Sequence, residues 1–399
     1  MSRSPQTEPT ASDHAVRVDV GKPTDVSRSI PLPAQRVLWG RAAGRCEFAG
    51  CNKPLWKSSV TQEPVNIAQA AHIYSFSEAG PRGRGPMTAD AVHSVDNLLL
   101  VCHECHRKID QEGDGGRYTA SLLKAMKAQH EERIERVTGI APDKRSYVVL
   151  YGANVGDHSS PLNYSSAAPA LFPLRYPAED KAVELATVNS AFTDVTPDFW
   201  AIESADLRAK YERRVRERLA SGEIAHLSVF ALAPQPLLIL LGTLIGDIVP
   251  ADVYQRHREP TTWVWPDAGP VPEFIVTKPA RMSGVPALVL ALSATVTADR
   301  ITAVLGEDAS IWTVTVPEPH NDLTRSRDQL SQLRALLRRV FDEIKATHGQ
   351  TTPLNVFPVM SVSAAVEFGR VRMPKADMPW RIYDQVNRRG GFVFALSIE

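Results

Sequence analysis

The sequence predicts two folds in one chain. A small, metal-stapled α+β module takes the first third, and an α/β domain takes the rest. Three observations carry this. All four cysteines fall in one stretch as two pairs, Cys46/Cys51 spaced C-x4-C and Cys102/Cys105 spaced C-x2-C. From Tyr147 onward, apolar runs of strand length alternate with runs of helix length, the pattern of a largely parallel sheet. Between the two regimes, Gly139 ends a helical pattern and residues 139–146 read as a linker.

The elements follow in order. Residues 1–30 are polar, rich in Ser, Thr, Pro and Asp, and are expected to be disordered or loosely docked. Residues 34–44 form a short helix ending at Gly44, before the first cysteine pair. Val65–Ser75 is a strand carrying His72. Arg82–Pro86 is a glycine-rich basic loop. Asn97–Val101 is an apolar strand that enters the second pair, and His106–Asp110 begins a helix. Thr119–Val137 is an amphipathic helix with Leu122, Leu123, Met126 and Ile134 at near-helical spacing. The first module thus spans 31–138. In the second domain, 147–399, strands are expected at Tyr147–Tyr151, Ala225–Ala233, Ala287–Thr297, Ile311–Val316, Leu354–Met360 and Phe392–Ile398. Helices are expected near Glu203–Ala220, Pro236–Leu244, Leu323–His348 and Val362–Phe368. No short internal repeat is apparent.

Composition excludes little. The formal net charge is zero, with 20 Lys and Arg against 17 Asp and Glu over residues 1–146, and 25 against 28 thereafter. Any contact with a polyanion must therefore use a local basic face. The N-terminus has no apolar core of a secretory signal. The most apolar run, Leu227–Ile245, is broken by Pro234-Gln235-Pro236 and closed by Asp247, which suits a buried strand and helix better than a membrane span. A cytoplasmic protein without a membrane segment is expected. There, knuckle-spaced cysteines are metal ligands rather than disulfides. Four thiolates close a tetrahedral site around Zn²⁺ and leave no position for water, so the zinc would be structural.

Between the pairs lies Ala70-Ala71-His72-Ile73. Asp96-Asn97-Leu98-Leu99 precedes the second pair, and His106 follows it directly. Two knuckles enclosing a His…Asn…His series resemble the HNH nuclease module. The resemblance implies phosphodiester hydrolysis with one divalent cation, Mg²⁺ or similar. His72 would be the general base, His106 would bind the cation, and Asn97 would tie the loop between the strands. Many HNH enzymes carry Asp before the catalytic His, where this chain has Ala71. The remaining cation ligands are open among Asp96, His93, Gln69 and His103. Arg82, Arg84, Arg107 and Lys108 flank the site and either hold phosphates or form a solvated surface. With no base-reading element apparent, weak sequence specificity is expected.

In the second domain a strand ends at Ala233, Pro234-Gln235 turns, and Pro236 suits the first position of a helix. Pro353–Pro358 followed by Met360-Ser361-Val362-Ser363 repeats the arrangement, with Ser361 as N-cap. Helix N-termini at strand carboxyl ends favour anionic ligands, and two such turns would suit a ligand with two phosphates. The runs His226–Ile239, Val253–Arg258, Trp263–Trp265, Phe357–Ser361, Glu367–Arg370 and Trp380–Asp384 resemble the SAVED domain over residues 147–399. That resemblance implies two fused CARF-like Rossmann units that sense cyclic oligonucleotides. HNH joined to SAVED is the architecture of effector nucleases in the CBASS anti-phage systems. It implies a nuclease silent until a cyclic dinucleotide or related cyclic oligonucleotide binds, then assembling as a homo-oligomer that degrades double-stranded DNA. Candidate ligand contacts are Gln255, Arg256 and Arg258 as donors, Tyr254, Trp263 and Trp265 as stacking faces, and Ser361 and Arg370. The alternative for these residues is core packing and a solvated face. His226 reads as structural. Two competing functions remain: an HNH restriction-type endonuclease not gated by a nucleotide, which a slightly acidic second domain disfavours, and a non-catalytic zinc DNA-binding protein.

Overall fold

The computed structural model describes residues 29–111, 116–155, 162–186, 198–266, 271–386 and 391–399. All but the last two residues of the polar segment expected over 1–30 lie outside these. The chain divides into two compact units, Met1–Gly139 and Ile140–Glu399.

The first unit is built around one short hairpin. Helix α1 (Leu32–Arg41) starts on Pro31 and Pro33, which tolerate the unpaired first turn. Strand β1 (Ala68–His72) pairs antiparallel with β2 (Leu98–Cys102), with His72 opposite Leu98. β2 is buried on every residue and runs straight into α2 (His103–Ile109). Thr119 caps α3 (Ala120–Thr138) by accepting from Leu122 N. The core includes Leu38, Leu55, Ile73, Leu98–Val101, Ile109 and Leu123, together with Cys46, Cys102 and Cys105. The cysteines therefore close the core of a unit with few large apolar side chains. The expected strand Val65–Ser75 shortens to five residues, and the second helix starts three residues earlier than expected, at the knuckle itself.

The second unit begins with β3 (Arg145–Gly152), so the end of the expected linker is already strand. Ser146 is fully buried there, bonded through Oγ to His226 Nδ1 and Ser228 Oγ at 2.8 Å each. Next come α4 (Tyr164–Ala167), the short strands β4 (Tyr176–Pro177) and β5 (Val183–Glu184), α5 (Phe199–Tyr211), a π-helical turn and α6 (Glu217–Ala220). The long helix expected over Glu203–Ala220 is thus interrupted at Glu212–Arg216. β6 (Leu227–Leu232), α7 (Gln235–Ile245) and β7 (Ala251–Tyr254) complete a first, parallel sheet of order β4-β3-β6-β7, with β5 also on β3.

β8 (Ile275–Thr277), β9 (Val285–Ala291), α8 (Ala298–Leu305), β10 (Ala309–Thr315), α9 (Arg327–His348), β11 (Leu354–Val359), α10 (Val362–Val371), β12 (Trp380–Val386) and β13 (Gly391–Ile398) form the second half. Its sheet has the order β13-β12-β11-β9-β10-β8, parallel through its centre and antiparallel at both edges. Central strands β6 and β11 are almost wholly buried, as parallel strands covered on both faces must be. β10 alternates buried and half-buried residues. Sequence reading placed the long β-strands and main helices but passed over β7, β8, α8 and β12, which are short or flanked by polar residues.

The two halves repeat one design. β6 reads Leu227-Ser228-Val229-Phe230, and β11 reads Leu354-Asn355-Val356-Phe357. Phe230 stacks on Tyr254 at 4.4 Å, and Phe357 on Tyr383 at 4.5 Å. A third ring meets each pair edge-on, Trp263 in one half and Phe392 in the other. The halves are the two fused units that the SAVED resemblance implies; no short repeat shows in the sequence because only a few positions coincide. Helices α7 and α10, equivalent in the two halves, pack against each other through Gly242 and Gly369, where the backbones touch.

Candidate functional site

The metal cluster comes first. Glycines at positive φ, Gly44 and Gly50, turn the chain around the first pair; in the second pair Cys102 ends β2 and Cys105 lies in the first turn of α2. All four Sγ atoms lie within 4.8 Å of one another, and Cys51 Sγ is 3.9 Å from Cys102 Sγ. A tetrahedral Zn–S site has sulfur–sulfur edges of about 3.8 Å. The set is spaced for a metal, not for a disulfide. Cys102 N donates to Cys46 Sγ at 3.4 Å, so a backbone donor already faces that sulfur. Burial pushes the Cys46 thiol up to about 12, an unfavourable site for a bare thiolate that a dication would offset.

Beside the cluster stands the His…Asn…His series. His72 ends β1, and its Nε2 lies 3.0 Å from His93 Nδ1. Burial, then the neighbouring His93 and His106, lower the His72 pKa to about 4, with Asp110 opposing, so the ring is neutral near pH 7. Asn97 is buried. Its Oδ1 accepts from Tyr74 N at 2.8 Å, and its Nδ2 donates to Tyr74 O and Val92 O at 3.0 and 2.8 Å. It thereby fastens the chain leaving β1 to the chain entering β2. His106 is half-buried on α2, with Nδ1 3.8 Å from Asp110 Oδ2.

Of the four open ligand candidates, His93 alone bonds His72. Asp96 is exposed and paired with Arg41 at 2.9 Å. Gln69 points to the opposite face of β1 from His72 by strand alternation. His103 is exposed. Ala71 is a core residue at 2% exposure. Asp110, whose carboxylate faces His106, is a further ligand candidate that sequence reading did not name. Its signal was the i, i+4 spacing from His106, which puts both on one helix face.

The flanking cations divide. Arg107 and Lys108 are exposed and line an open groove of about 740 Å³ with His103, Glu104, His106, Asp110 and Gln111. Arg84 is half-buried and donates to Phe76 O. Arg82 matches neither a solvated surface nor an open phosphate contact: its side chain is 5% exposed and bonds Ile73 O, Ile109 O, His72 O and Asp110.

In the second unit the N-termini of α7 and α10 converge. Gln235 Oε1 accepts from Met360 N at 3.2 Å. Gln255 Oε1 accepts from Ser363 N and Ser363 Oγ at 3.2 and 2.7 Å. Ser361 caps α10 and bonds Thr324 at 2.7 Å. Arg256, half-buried, lies over Trp263 at 5.4 Å; Arg258 is exposed; Trp265 is half-buried against His257. Three expected ligand contacts are instead structural. Tyr254 and Trp263 are each 1% exposed, because both rings are needed in the Phe230 cluster, and Tyr254 Oη accepts from Arg327. Arg370 is buried and donates to Gly246 O, Ala251 O and Val249 O and to Glu367, capping the carbonyl end of α7.

Comparison with known proteins places both units. A model of the HNH endonuclease family matches residues 46–112. The SAVED model, described as a SMODS-associated sensor domain fused to various effectors, matches residues 207–398. A comparison with curated proteins finds no match. Among solved structures, the Acinetobacter baumannii Cap4 SAVED/CARF-domain containing receptor with the cyclic trinucleotide 2'3'3'-cAAA is similar at TM-score 0.43 and 10% identity, over 69% of this chain and 55% of that one. The Moraxella osloensis Cap4 receptor is similar at TM-score 0.41 and 11% identity, over 79% of this chain and 70% of that one. The chain thus spans about half the length of the first of these receptors. No helix among the described residues is long and apolar enough to cross a membrane. One chain thus carries a match to the HNH endonuclease family over residues 46–112 and a match to the SAVED sensor domain over residues 207–398.

Proposed function

We propose that this nuclease cuts double-stranded DNA, with low sequence specificity and with a divalent cation such as Mg²⁺, when a cyclic oligonucleotide occupies its SAVED domain, and that it serves bacterial anti-phage defence. The observation that carries the reading is the meeting of His72 with His93 beside the His106–Asp110 pair in an HNH unit, in one chain with a sensor domain.

The roles follow from the chemistry. Zn²⁺ on Cys46, Cys51, Cys102 and Cys105 is structural. His106 and Asp110 are the residues to hold the catalytic cation, which when bound supplies Lewis-acid stabilisation at the scissile phosphate. His72, neutral at pH 7, takes the proton of the attacking water. Asn97 keeps the loop in register. Arg107 and Lys108 attract the phosphate backbone from the open groove. In the sensor domain, Gln255 and Ser361 at the N-terminus of α10, with Arg256, Arg258 and Trp265 of the segment after β7, are the residues to meet the activator. Activation proceeds through homo-oligomer formation.

The test is plasmid cleavage with Mg²⁺, with and without a panel of cyclic di- and trinucleotides, with His72→Ala as control and sedimentation as the readout of assembly. Cleavage and assembly with one ligand support the proposal. Ligand-independent cleavage would replace it with a restriction-type enzyme, and absence of cleavage under every condition would remove the gated-nuclease reading.

A further inference from the structure

Arg82 is a basic residue in a glycine-rich loop beside a nuclease centre, and yet it is almost completely enclosed. Its guanidinium makes four bonds. Nε donates to Ile73 O at 2.6 Å, Nη2 to His72 O at 3.0 Å, Nη1 to Ile109 O at 3.2 Å, and Nη2 also to Asp110 Oδ1 at 3.1 Å. Two acceptors belong to the end of β1, at and just past His72. The other two belong to the end of α2, one turn beyond His106. The loop holds the arginine in place: Ser75 N bonds Gly83 O at 2.8 Å, and Gly83 adopts a positive φ.

A buried cation is costly unless its donors are met. Here one carboxylate and three carbonyls meet them, including Ile109 O at the negative end of a helix. The planar fork of arginine can address diverging acceptors at once, whereas a lysine ammonium is a single point. Asp110 is the informative partner. One of its oxygens is held by Arg82, and the other faces His106 Nδ1 at 3.8 Å. The arginine fixes which way that carboxylate points.

We propose that Arg82 is a positioning residue. It clamps the strand end bearing His72 to the helix end bearing His106 and Asp110, and so sets the alignment of the base with the cation-binding pair. The proposal rests on the assignment of the cation to His106 and Asp110. It assigns Arg82 no contact with DNA.

The test is Mn²⁺ binding to the full-length, zinc-loaded chain, followed through the electron paramagnetic resonance of free Mn²⁺, for wild type and Arg82→Lys. Partners that orient a metal ligand typically contribute 10–100-fold to metal affinity. The expected result is a loss of about 10-fold or more in Mn²⁺ affinity, with zinc content and melting kept. In cleavage, kcat falls, while KM for DNA and its salt dependence stay unchanged. Unchanged Mn²⁺ affinity would overturn the clamp, as would a normal kcat with a salt slope reduced by about one, the mark of a phosphate contact. If the lysine variant loses zinc or melts early, Arg82→Gln is measured in the same way. Failure of the underlying assignment looks different: wild type itself would bind no Mn²⁺, and the clamp would fall with the cation site.

Discussion

His72 and His93, twenty-one residues apart, meet nitrogen to nitrogen, with Nε2 of the first 3.0 Å from Nδ1 of the second and the rings edge to face. One of the two nitrogens must carry the proton and the other accept it, so each ring sets the tautomer of the other. His72→Ala is expected to lower cleavage by roughly 10²–10⁴-fold, as for loss of a general base. His93→Ala, which frees the tautomer but keeps the base, is expected to cost about 10–100-fold. Steady-state cleavage of plasmid DNA separates the two. Equal losses would place both histidines in the same role.

Cys102→Ser should act on stability. A structural zinc site can contribute on the order of 10 kcal/mol of folding free energy. The variant is expected to retain less than the wild-type zinc, and the first unit should melt earlier, while the melting of the second unit stays unchanged. Unaltered zinc content, measured with a chromogenic chelator after denaturation, would refute the four-thiolate assignment.

Gly242 has no room for a methyl group. A Cβ there would overlap the Val366 carbonyl oxygen and sit 2.9 Å from Gly369 Cα. Overpacking typically costs about 1–3 kcal/mol, and here the obstacle is backbone rather than a yielding side chain. Gly242→Ala should therefore lower the melting of the second unit by several degrees and weaken activator binding, since α7 and α10 present the converging N-termini. A neutral outcome in differential scanning calorimetry would mean that the helices separate easily.

His226 predicts a pH dependence. Burial, then the positive Arg175, lower its pKa from 6.5 to about 4, against the pull of Asp252. The folded unit binds fewer protons than the unfolded chain between these values. This contribution to stability is whole above pH 6.5 and is lost as the pH falls toward 4, up to about 3 kcal/mol. His226→Asn, which can keep a bond to Ser146 from the Nδ1 position, should flatten the melting-versus-pH curve of the second unit over that window. An unchanged slope would assign the acid sensitivity to other groups.

Much of the molecule was legible in the residues. Cysteine spacing, the His…Asn…His series and the strand–helix alternation are local patterns, and the chemistry they announce depends on short spacings. The misreadings share a cause. Arg82, Tyr254, Trp263 and Arg370 are residue types that serve equally well as ligand contacts or as buried partners. Composition and spacing do not say which carbonyls, rings or carboxylates surround them.

The sequence by itself determined the zinc-knuckle spacing, the order of the nuclease motif and the α/β character of the sensor, because each is written in neighbouring residues. Only the tertiary structure decided that His93 meets His72, that Asp110 rather than Asp96 faces His106, that Arg82 looks inward, and that two halves sharing few residues stack the same pair of rings. Those relationships form when distant strands and helices pack, and burial, not residue type, then decides whether a polar side chain serves a ligand or the fold.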